Sequence, residues 1–253
     1  MTTFNQVLLK NNLMKWEVWL YLAFALYPLL VFIGQLFQVN FMQLDNLANV
    51  TLLEAYSRLL VGANQMLAPV IIISYVIATI FYVEINNGLL FLFKDINRKK
   101  VFTGKVTALL GVYGVYMMML AMATIITYYF YIVPTIGASG ALIPTGASAW
   151  SYLIIELIAA IAIDIIIILV AINLSLYFSP GITIMGTVFF SLLAELAAKL
   201  DTLRYIFPNS YKTLFYSGQI TFATAISIVI GLFALYAIIL YMNAKSRFVK
   251  IEY

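Results

Sequence analysis

The chain has 253 residues, of which 64% are hydrophobic and 9% are charged, and its mean hydropathy is +1.03. Soluble domains are about half apolar and about one quarter charged, so this composition excludes an ordinary soluble globular protein. The chain has no Cys and no His, which excludes disulfides, thiol chemistry and the commonest metal ligand. The net charge of +4 requires no nucleic acid partner, because the cytoplasmic loops of membrane proteins carry an excess of Lys and Arg.

Six apolar segments are long enough to cross a bilayer, which takes about 20 mostly apolar residues per helix. Helices are expected, because backbone polar groups must be paired within the segment where water is absent. A charge-free stretch over 106–155 is too long for one span, and Pro134, Gly137 and Pro144 lie where it would be interrupted. The chain is therefore predicted to be all-α, a polytopic membrane protein with one transmembrane domain over residues 1–253. The predicted spans are 18–42, 59–83, 106–132, 149–172, 181–198 and 215–242.

Two segments outside the spans are predicted to lie along the membrane surface. Residues 1–17 mix apolar side chains with Lys and Asn, which is typical of an N-terminal interfacial helix in contact with inner-leaflet lipid. A disordered start is the alternative for this segment. Residues 199–215 combine charged with aromatic side chains and are predicted to be an outer interfacial segment that includes short re-entrant helices.

The distribution of Lys and Arg sets the predicted orientation, because these residues accumulate in cytoplasmic loops. If the N-terminus is inside, the inner segments hold ten of the 14 Lys and Arg residues and the outer segments hold four. We therefore expect a multi-pass protein of the cell membrane with both termini in the cytoplasm.

The predicted inner loop over residues 84–105 is longer than a simple connector needs. Its first half contains the apolar run Leu89–Phe93, and its second half is largely charged. A short helix of this composition would rest one side on the membrane and offer polar groups to a cytosolic partner. An ordinary basic anchor loop is the alternative that composition leaves open.

The same loop resembles that of the ABC-2-type permeases of ATP-driven exporters. In that family the second span commonly ends in Glu, with Gly four residues later, then an apolar stretch, a polar turn with Arg, and Gly-Lys at the start of the third span. The resemblance extends to the layout, with an amphipathic start, six spans and a Pro-containing outer segment before the last span. The matching residues are Glu84, Gly88, Leu89–Phe93, Asn97, Arg98, Gly104 and Lys105.

The resemblance implies a cytoplasmic coupling helix between spans 2 and 3 that docks into a groove of a cytosolic ABC ATPase. This chain contains no G-x-x-x-x-G-K-[ST] motif, so it is not expected to be an enzyme or to bind a cofactor, and ATP and Mg would be bound by the partner. Such exporters need two permease halves, which implies a dimer with a second copy or a paralogue. The residues implied in coupling are Glu84, Gly88, Phe91, Asn97, Arg98 and Lys105.

The small size and the lack of a large outer domain look most like permeases that move amphipathic peptides. The lantibiotic-immunity and phenol-soluble modulin exporters of Gram-positive bacteria are the closest in layout. The resemblance therefore implies an antimicrobial-type peptide as substrate. A drug-exporting or lipid-exporting ABC permease is the alternative within the family.

Three acidic residues lie within predicted spans, where each costs roughly 2.5–3.5 kcal/mol to insert and usually faces protein or water. Glu156 and Asp164 are about 12 Å apart along one helix and about 80° apart around it, so they share a broad face. Glu195 lies nearer the outer end of the fifth span. These acids are expected either to form hydrogen bonds between helices in the bundle interior or to line a translocation path for cationic peptides, and the sequence leaves both open. No catalytic or metal site is predicted.

A secondary transporter is the main alternative function, because spans with buried acids are typical of that class. No pair of Gly- or Pro-broken spans is evident in two matching halves of the sequence, which argues against it. An intramembrane protease or lipid-modifying enzyme would need a Ser/Lys or two-Asp site, and Asp164 is the only Asp in mid-span. A non-transporting immunity or sensor protein is also compatible with one chain of this kind.

The predicted orientation can be tested with topology reporters. A reporter fused after Tyr253 should be active only in its cytoplasmic form, because the excess of Lys and Arg is retained inside. The same reporter inserted in the predicted outer loop, 40–58, should be active only in its external form. The reverse pattern would contradict the six-span topology.

Overall fold

The computed structural model describes residues 4–36, 50–93, 95–200 and 202–251. Over these residues the chain is helical and contains no strand, so the all-α prediction is confirmed. Five helices are long and apolar enough to cross a membrane, and a bent pair near the N-terminus is a sixth if it forms one span. The helices after residue 50 are α4 (Leu52–Asn64), α5 (Leu67–Ala78), α6 (Glu84–Asn86), α7 (Arg98–Thr127), α8 (Ala147–Ser175), α9 (Pro180–Ala197), α10 (Tyr211–Tyr216) and α11 (Phe222–Val249).

The N-terminal region consists of three short helices, α1 (Phe4–Leu13), α2 (Trp16–Ala23) and α3 (Tyr27–Leu36). The axis turns by 74° between α1 and the segment that starts at Trp16. This bend matches the predicted boundary between residues 1–17 and the first span, and residues 4–13 are helical. The last part of that predicted span, 37–42, lies outside the described residues.

Helix α1 packs closely against the first half of α7, at two glycines. A Cβ atom on Gly104 would lie 2.8 Å from the Phe4 ring and 2.9 Å from the Leu8 side chain. A Cβ atom on Gly111 would lie 2.9 Å from the Leu9 side chain. These separations are shorter than van der Waals contact, so the approach of α1 depends on the missing side chains.

The second predicted span, 59–83, is interrupted in the structure between α4 and α5. Proline at position 69 cannot donate a backbone hydrogen bond, and its ring would clash with the carbonyl group of Gln65 in a continuous helix. The chain accordingly leaves the helix at Met66, whose ψ of 130° is extended. Ser57 of α4 bonds to Glu156, and Val70 of α5 packs in the same cluster as residues 163 and 167. The two helices thus follow α8 in succession, and the segment Leu67–Asn86 is by itself long and apolar enough to cross a membrane.

The third span begins earlier than the sequence predicts. Helix α7 starts at Arg98 rather than at residue 106, because the Asn97 side chain accepts a hydrogen bond from the Lys99 amide at 2.9 Å and caps the helix. The predicted loop over 84–105 therefore ends at Asn97, and Lys105 lies two turns inside a helix. The same helix continues in π-helical form past Pro134 to Ile136.

The fourth and fifth spans lie close to their predicted positions, as α8 and α9. The sixth begins at Phe222 rather than at residue 215. Gly218 has a positive φ of 70°, and Thr221 caps the new helix, so the chain turns sharply between α10 and α11. The apolar residues before Gly218 belong to α10, which hydropathy alone cannot separate from a span.

One end of the bundle is identified by the start of α7 and the end of α11, and we call it the basic end. There, the Arg98 guanidinium donates to the carbonyl oxygen of Val249 at 3.1 Å and also to that of Ile251. Phe102 and Phe248 pack beside this contact with ring centroids 5.5 Å apart. The basic end is the one that the sequence predicts to be cytoplasmic, and we call the other the opposite end.

The packing of α1 can be tested with matched glycine substitutions. Gly104→Leu should lower the stability of the protein by about 1–3 kcal/mol, because the new side chain overlaps α1. Gly114→Leu lies on the same helix with no atom within 4 Å of its added Cβ, so it should change stability by less than about 0.5 kcal/mol. Thermal unfolding in detergent or nanodiscs measures both. Equal melting temperatures in the two variants would contradict a close contact between α1 and α7.

Candidate functional site

A buried ion-pair network lies near the basic end of the bundle. The Lys105 side chain is almost fully buried, and its ammonium group donates to Glu84 Oε2 at 2.6 Å and to the Ile80 carbonyl oxygen at 2.8 Å. Lys15 donates to the other oxygen of Glu84 at 3.4 Å. The π-helical turn Thr79–Val83 contains the carbonyl that Lys105 binds. The network therefore ties the start of α2, the end of the second span and the start of the third to one another.

An exposed apolar turn follows this network. Gly88 has a positive φ of 69°, a conformation that a residue with a side chain rarely adopts, and it redirects the chain after α6. The next residues, Leu89–Phe93, form a 3-10 helix that we call the apolar turn. Leu90 packs into the main core, whereas Leu89 and Phe91 are 43% and 58% exposed. The fold thus holds two large apolar side chains at the surface of the basic end.

The structure divides the six predicted coupling residues into two groups. Glu84 and Lys105 bond directly to each other, Asn97 caps α7, and Arg98 binds carbonyl groups at the end of the chain, so each of these four has a structural contact. Gly88 and Phe91 belong to the exposed part of the same region. The sequence pattern did not separate the residues that stabilise this region from those that lie at its surface.

A second polar region lies at the opposite end, around Glu156. Ser57 donates to Glu156 Oε2 at 2.5 Å, and the Lys212 ammonium lies 3.8 Å from Oε1. Glu156 lines an open cavity of about 520 Å³ together with residues of both charges and several aromatic rings. The other side chains that line it include Glu54, Arg58, Ser148, Tyr152, Phe215 and Tyr216.

The predicted outer segment, 199–215, packs against α9 beside this cavity. Asn209 donates to the Ala194 carbonyl oxygen at 2.9 Å, and Tyr211 donates to the Tyr205 carbonyl oxygen at 2.9 Å. Burial, with a smaller effect from the Tyr205 hydroxyl, raises the pKa of Tyr211, so its hydroxyl stays protonated and remains a donor. Residue 201 of this segment lies outside the described residues.

Asp164 lies in the middle of the bundle, where the second span is broken. The Tyr113 hydroxyl donates to Asp164 Oδ2 at 2.8 Å, and the Asn64 amide at the end of α4 also donates to the carboxylate. Tyr116 stacks on Tyr113 with ring centroids 6.4 Å apart, and on Tyr21 with centroids 4.6 Å apart. A carboxylate, an amide and three tyrosines from α2, α4, α7 and α8 thus converge on one point, which we call the Asp164 cluster.

A small cavity adjoins the Asp164 cluster. Its volume is about 40 Å³, and its apolar wall is formed by Pro69, Val70 and Ile73 of α5 and by residues 167 and 168 of α8. Glu195 of α9 is close enough for its charge to repel that of Asp164. The sequence placed three acids as candidates for one path. In the structure, Asp164 and Glu195 are close enough to interact electrostatically, whereas Glu156 lines the separate cavity at the opposite end.

Sequence reasoning missed the partners of Asp164. Tyr113 and Tyr116 are three residues apart in a span, a spacing that places both on one helical face, but aromatic residues are common in membrane helices. Asn64 and Gln65, just before the proline-induced break, form a polar pair in a largely apolar segment. Only the fold shows that Asn64 faces Asp164.

The ion-pair network can be tested by removing its partners in turn. Glu84→Ala should destabilise the protein by about 3–5 kcal/mol, because it leaves the Lys105 ammonium buried without a carboxylate. Lys15→Ala should change stability by less than about 1 kcal/mol, because its ammonium is partly solvated and Lys105 still pairs with Glu84. Chemical or thermal unfolding of the two variants measures the difference. Equal effects would contradict the unequal burial of the two lysines.

Comparisons with known proteins found no match. No family model matches the sequence, and neither a curated protein nor a solved structure matches the chain. Among the described residues, no three His, Cys, Asp or Glu side chains are grouped so that they could hold a metal ion. The features that bear on function are therefore the apolar turn, the ion-pair network and the Asp164 cluster.

Proposed function

We propose that the chain is the membrane permease subunit of an ATP-driven exporter of the ABC-2 type. The observation that carries this proposal is the apolar turn, with Leu89 and Phe91 exposed at the basic end beside the Glu84–Lys105 ion pair. Exposed apolar groups at the end of a membrane bundle are buried either against the membrane surface or against a docked protein. A cytosolic ATPase that binds here would act directly on the second and third spans.

The support beneath the apolar turn favours mechanical coupling. The turn follows α6, and Glu84 of α6 is bound to Lys105 of α7 and to Lys15 at the start of α2. A partner that moved the turn would therefore displace three helices together. Closure of the ATPase on ATP would shift the permease between inward-open and outward-open states, since each state would bind the closed ATPase with a different affinity.

The ATPase itself would be a separate subunit that binds ATP and Mg, as the missing phosphate-binding motif implies. A second permease chain would complete the exporter. The proposed substrates are amphipathic, cationic peptides of the antimicrobial type, which would meet Glu156 in the cavity at the opposite end. A drug or lipid substrate is the alternative under the same mechanism.

A secondary transporter is a second candidate, and one structural observation favours it. Transporters of that class bind substrate and ions at discontinuous helices near the middle of the membrane. The break between α4 and α5 beside Asp164 has this character. The two candidates differ in their energy source, which can be measured.

The proposal is tested by co-purification and by a matched pair of phenylalanine substitutions. The tagged chain should bring down a cytosolic ATPase, and Phe91→Ala should reduce substrate-stimulated ATP hydrolysis by about tenfold, as expected when one buried aromatic contact is removed from an interface. Phe130→Ala, whose ring is 73% exposed in the π-helical segment beyond α7, should have no effect on hydrolysis. Glu84 and Arg98 are unsuitable for this test because their loss disturbs the fold.

Two outcomes would count against the exporter. Normal coupling in Phe91→Ala would mean that the apolar turn does not dock an ATPase. Peptide uptake into ATP-free vesicles, driven by an ion gradient and without a co-purified ATPase, would establish the secondary transporter instead.

A further inference from the structure

We propose that the cavity beside Asp164 binds one alkali-metal cation, with the Asp164 carboxylate as its charged ligand. The inference goes beyond the proposed function and holds for either energy source. It follows from the charge, the lining, the size and the oxygen atoms of this cavity.

The Asp164 carboxyl is partly buried in the middle of the helical bundle. A carboxylate there is disfavoured unless a proton or a cation neutralises it. The donors from Tyr113 and Asn64 are neutral, and no Lys or Arg in the described part of the chain forms an ion pair with Asp164. Glu195 adds a second negative potential. A bound cation would relieve both effects.

The helix end at the break between α4 and α5 is polar. The cavity is lined by Ala63 and Asn64, at the carbonyl end of α4, which carries the negative end of that helix dipole. The first residue of α5 that lines the cavity is Pro69, which has no N–H group. The cavity therefore lies at the C-terminal end of α4, and the residues of α5 that line it begin at Pro69.

The cavity beside Asp164 is small. A volume of about 40 Å³ accommodates a single dehydrated ion or one water, which occupies about 30 Å³ in the liquid. The walls from α5 and α8 are apolar, so a larger hydrated ion would not fit. One carboxylate as a direct ligand balances one positive charge, which favours a monovalent cation.

The cavity is also lined by side chains with oxygen atoms that can bind a cation. Tyr113 donates its proton to Asp164 and keeps lone pairs on its hydroxyl oxygen, and the Asn64 side chain has an amide oxygen as a further acceptor. Hard alkali ions prefer such oxygen ligands.

Thermal unfolding of the purified full-length chain in nanodiscs tests the proposal. Sodium, potassium, methylammonium and N-methyl-D-glucamine chlorides are compared at equal ionic strength, together with binding of radioactive sodium. An alkali chloride should raise the melting temperature by about 5 °C relative to N-methyl-D-glucamine, as expected for saturation of a site absent from the unfolded chain. One cation should bind per chain.

Variants separate the site from general stability. Asp164→Asn should abolish the cation-dependent rise, and Tyr113→Phe should weaken cation affinity by about tenfold through the loss of one oxygen ligand. Tyr128→Phe is the matched control, because it removes another buried hydroxyl, one that donates to the Val50 carbonyl oxygen at 2.8 Å. It should lower the melting temperature and leave the cation effect unchanged. If Asp164→Asn does not fold, Tyr113→Phe decides the question.

Three results would overturn the cation site. Equal melting temperatures in all salts, with no bound sodium, would show that Asp164 is neutralised by a proton. A cation effect of full size in Tyr113→Phe would place the ion elsewhere. Stabilisation by methylammonium but not by sodium or potassium would show that the cavity takes an amine. None of these results bears on whether an ATPase co-purifies with the chain.

Discussion

The ion pair between Lys105 and Glu84 is the interaction on which the basic end of the molecule depends. An ammonium group that is only 2% exposed requires a carboxylate and a carbonyl oxygen within bonding distance, and it has both. Satisfying it brings α5, α6 and α7 together and leaves Glu84 one free oxygen for Lys15. This contact holds α6 in place, and the positive φ of Gly88 then redirects the chain into the apolar turn.

The second organising feature is the break in the second span. Pro69 prevents a continuous helix, and the resulting helix ends need polar surroundings in the middle of the bundle. Asn64, Tyr113 and Asp164 provide them. A break of this kind is expensive in an apolar environment, and such sites in membrane proteins commonly serve binding. The break therefore links a fold requirement to the proposed cation site.

These two features suggest a division of labour along the bundle. The basic end offers an apolar surface beside a buried ion pair, which suits an energy-transducing partner. The middle holds a charged cluster around Asp164, and the opposite end opens into a larger cavity of mixed charge at Glu156. The second and third spans pass through all three regions, so movement at the apolar turn would be transmitted to the polar sites by continuous helical contacts.

The hydropathy pattern and the positions of Gly and Pro were sufficient to predict the helical class and the positions of the fourth and fifth spans. Long apolar runs must be helical where water is absent. The same patterns also placed Asp164 within a span. They failed at the start of α7, where an Asn97 cap outweighs a run of basic residues, and before α11, where aromatic residues of α10 resemble a span. Local hydrophobicity contains no information about such caps and turns.

The sequence by itself therefore determined that this is a multi-pass helical protein with an apolar turn between two spans and acids within others. Which acids act together was decided only by the tertiary structure. Glu156 and Asp164 are on one helix, yet they face different partners, Lys212 and Tyr113, because other helices approach α8 at different heights. The partner of a buried charge depends on residues far away in sequence, and packing alone brings them to it.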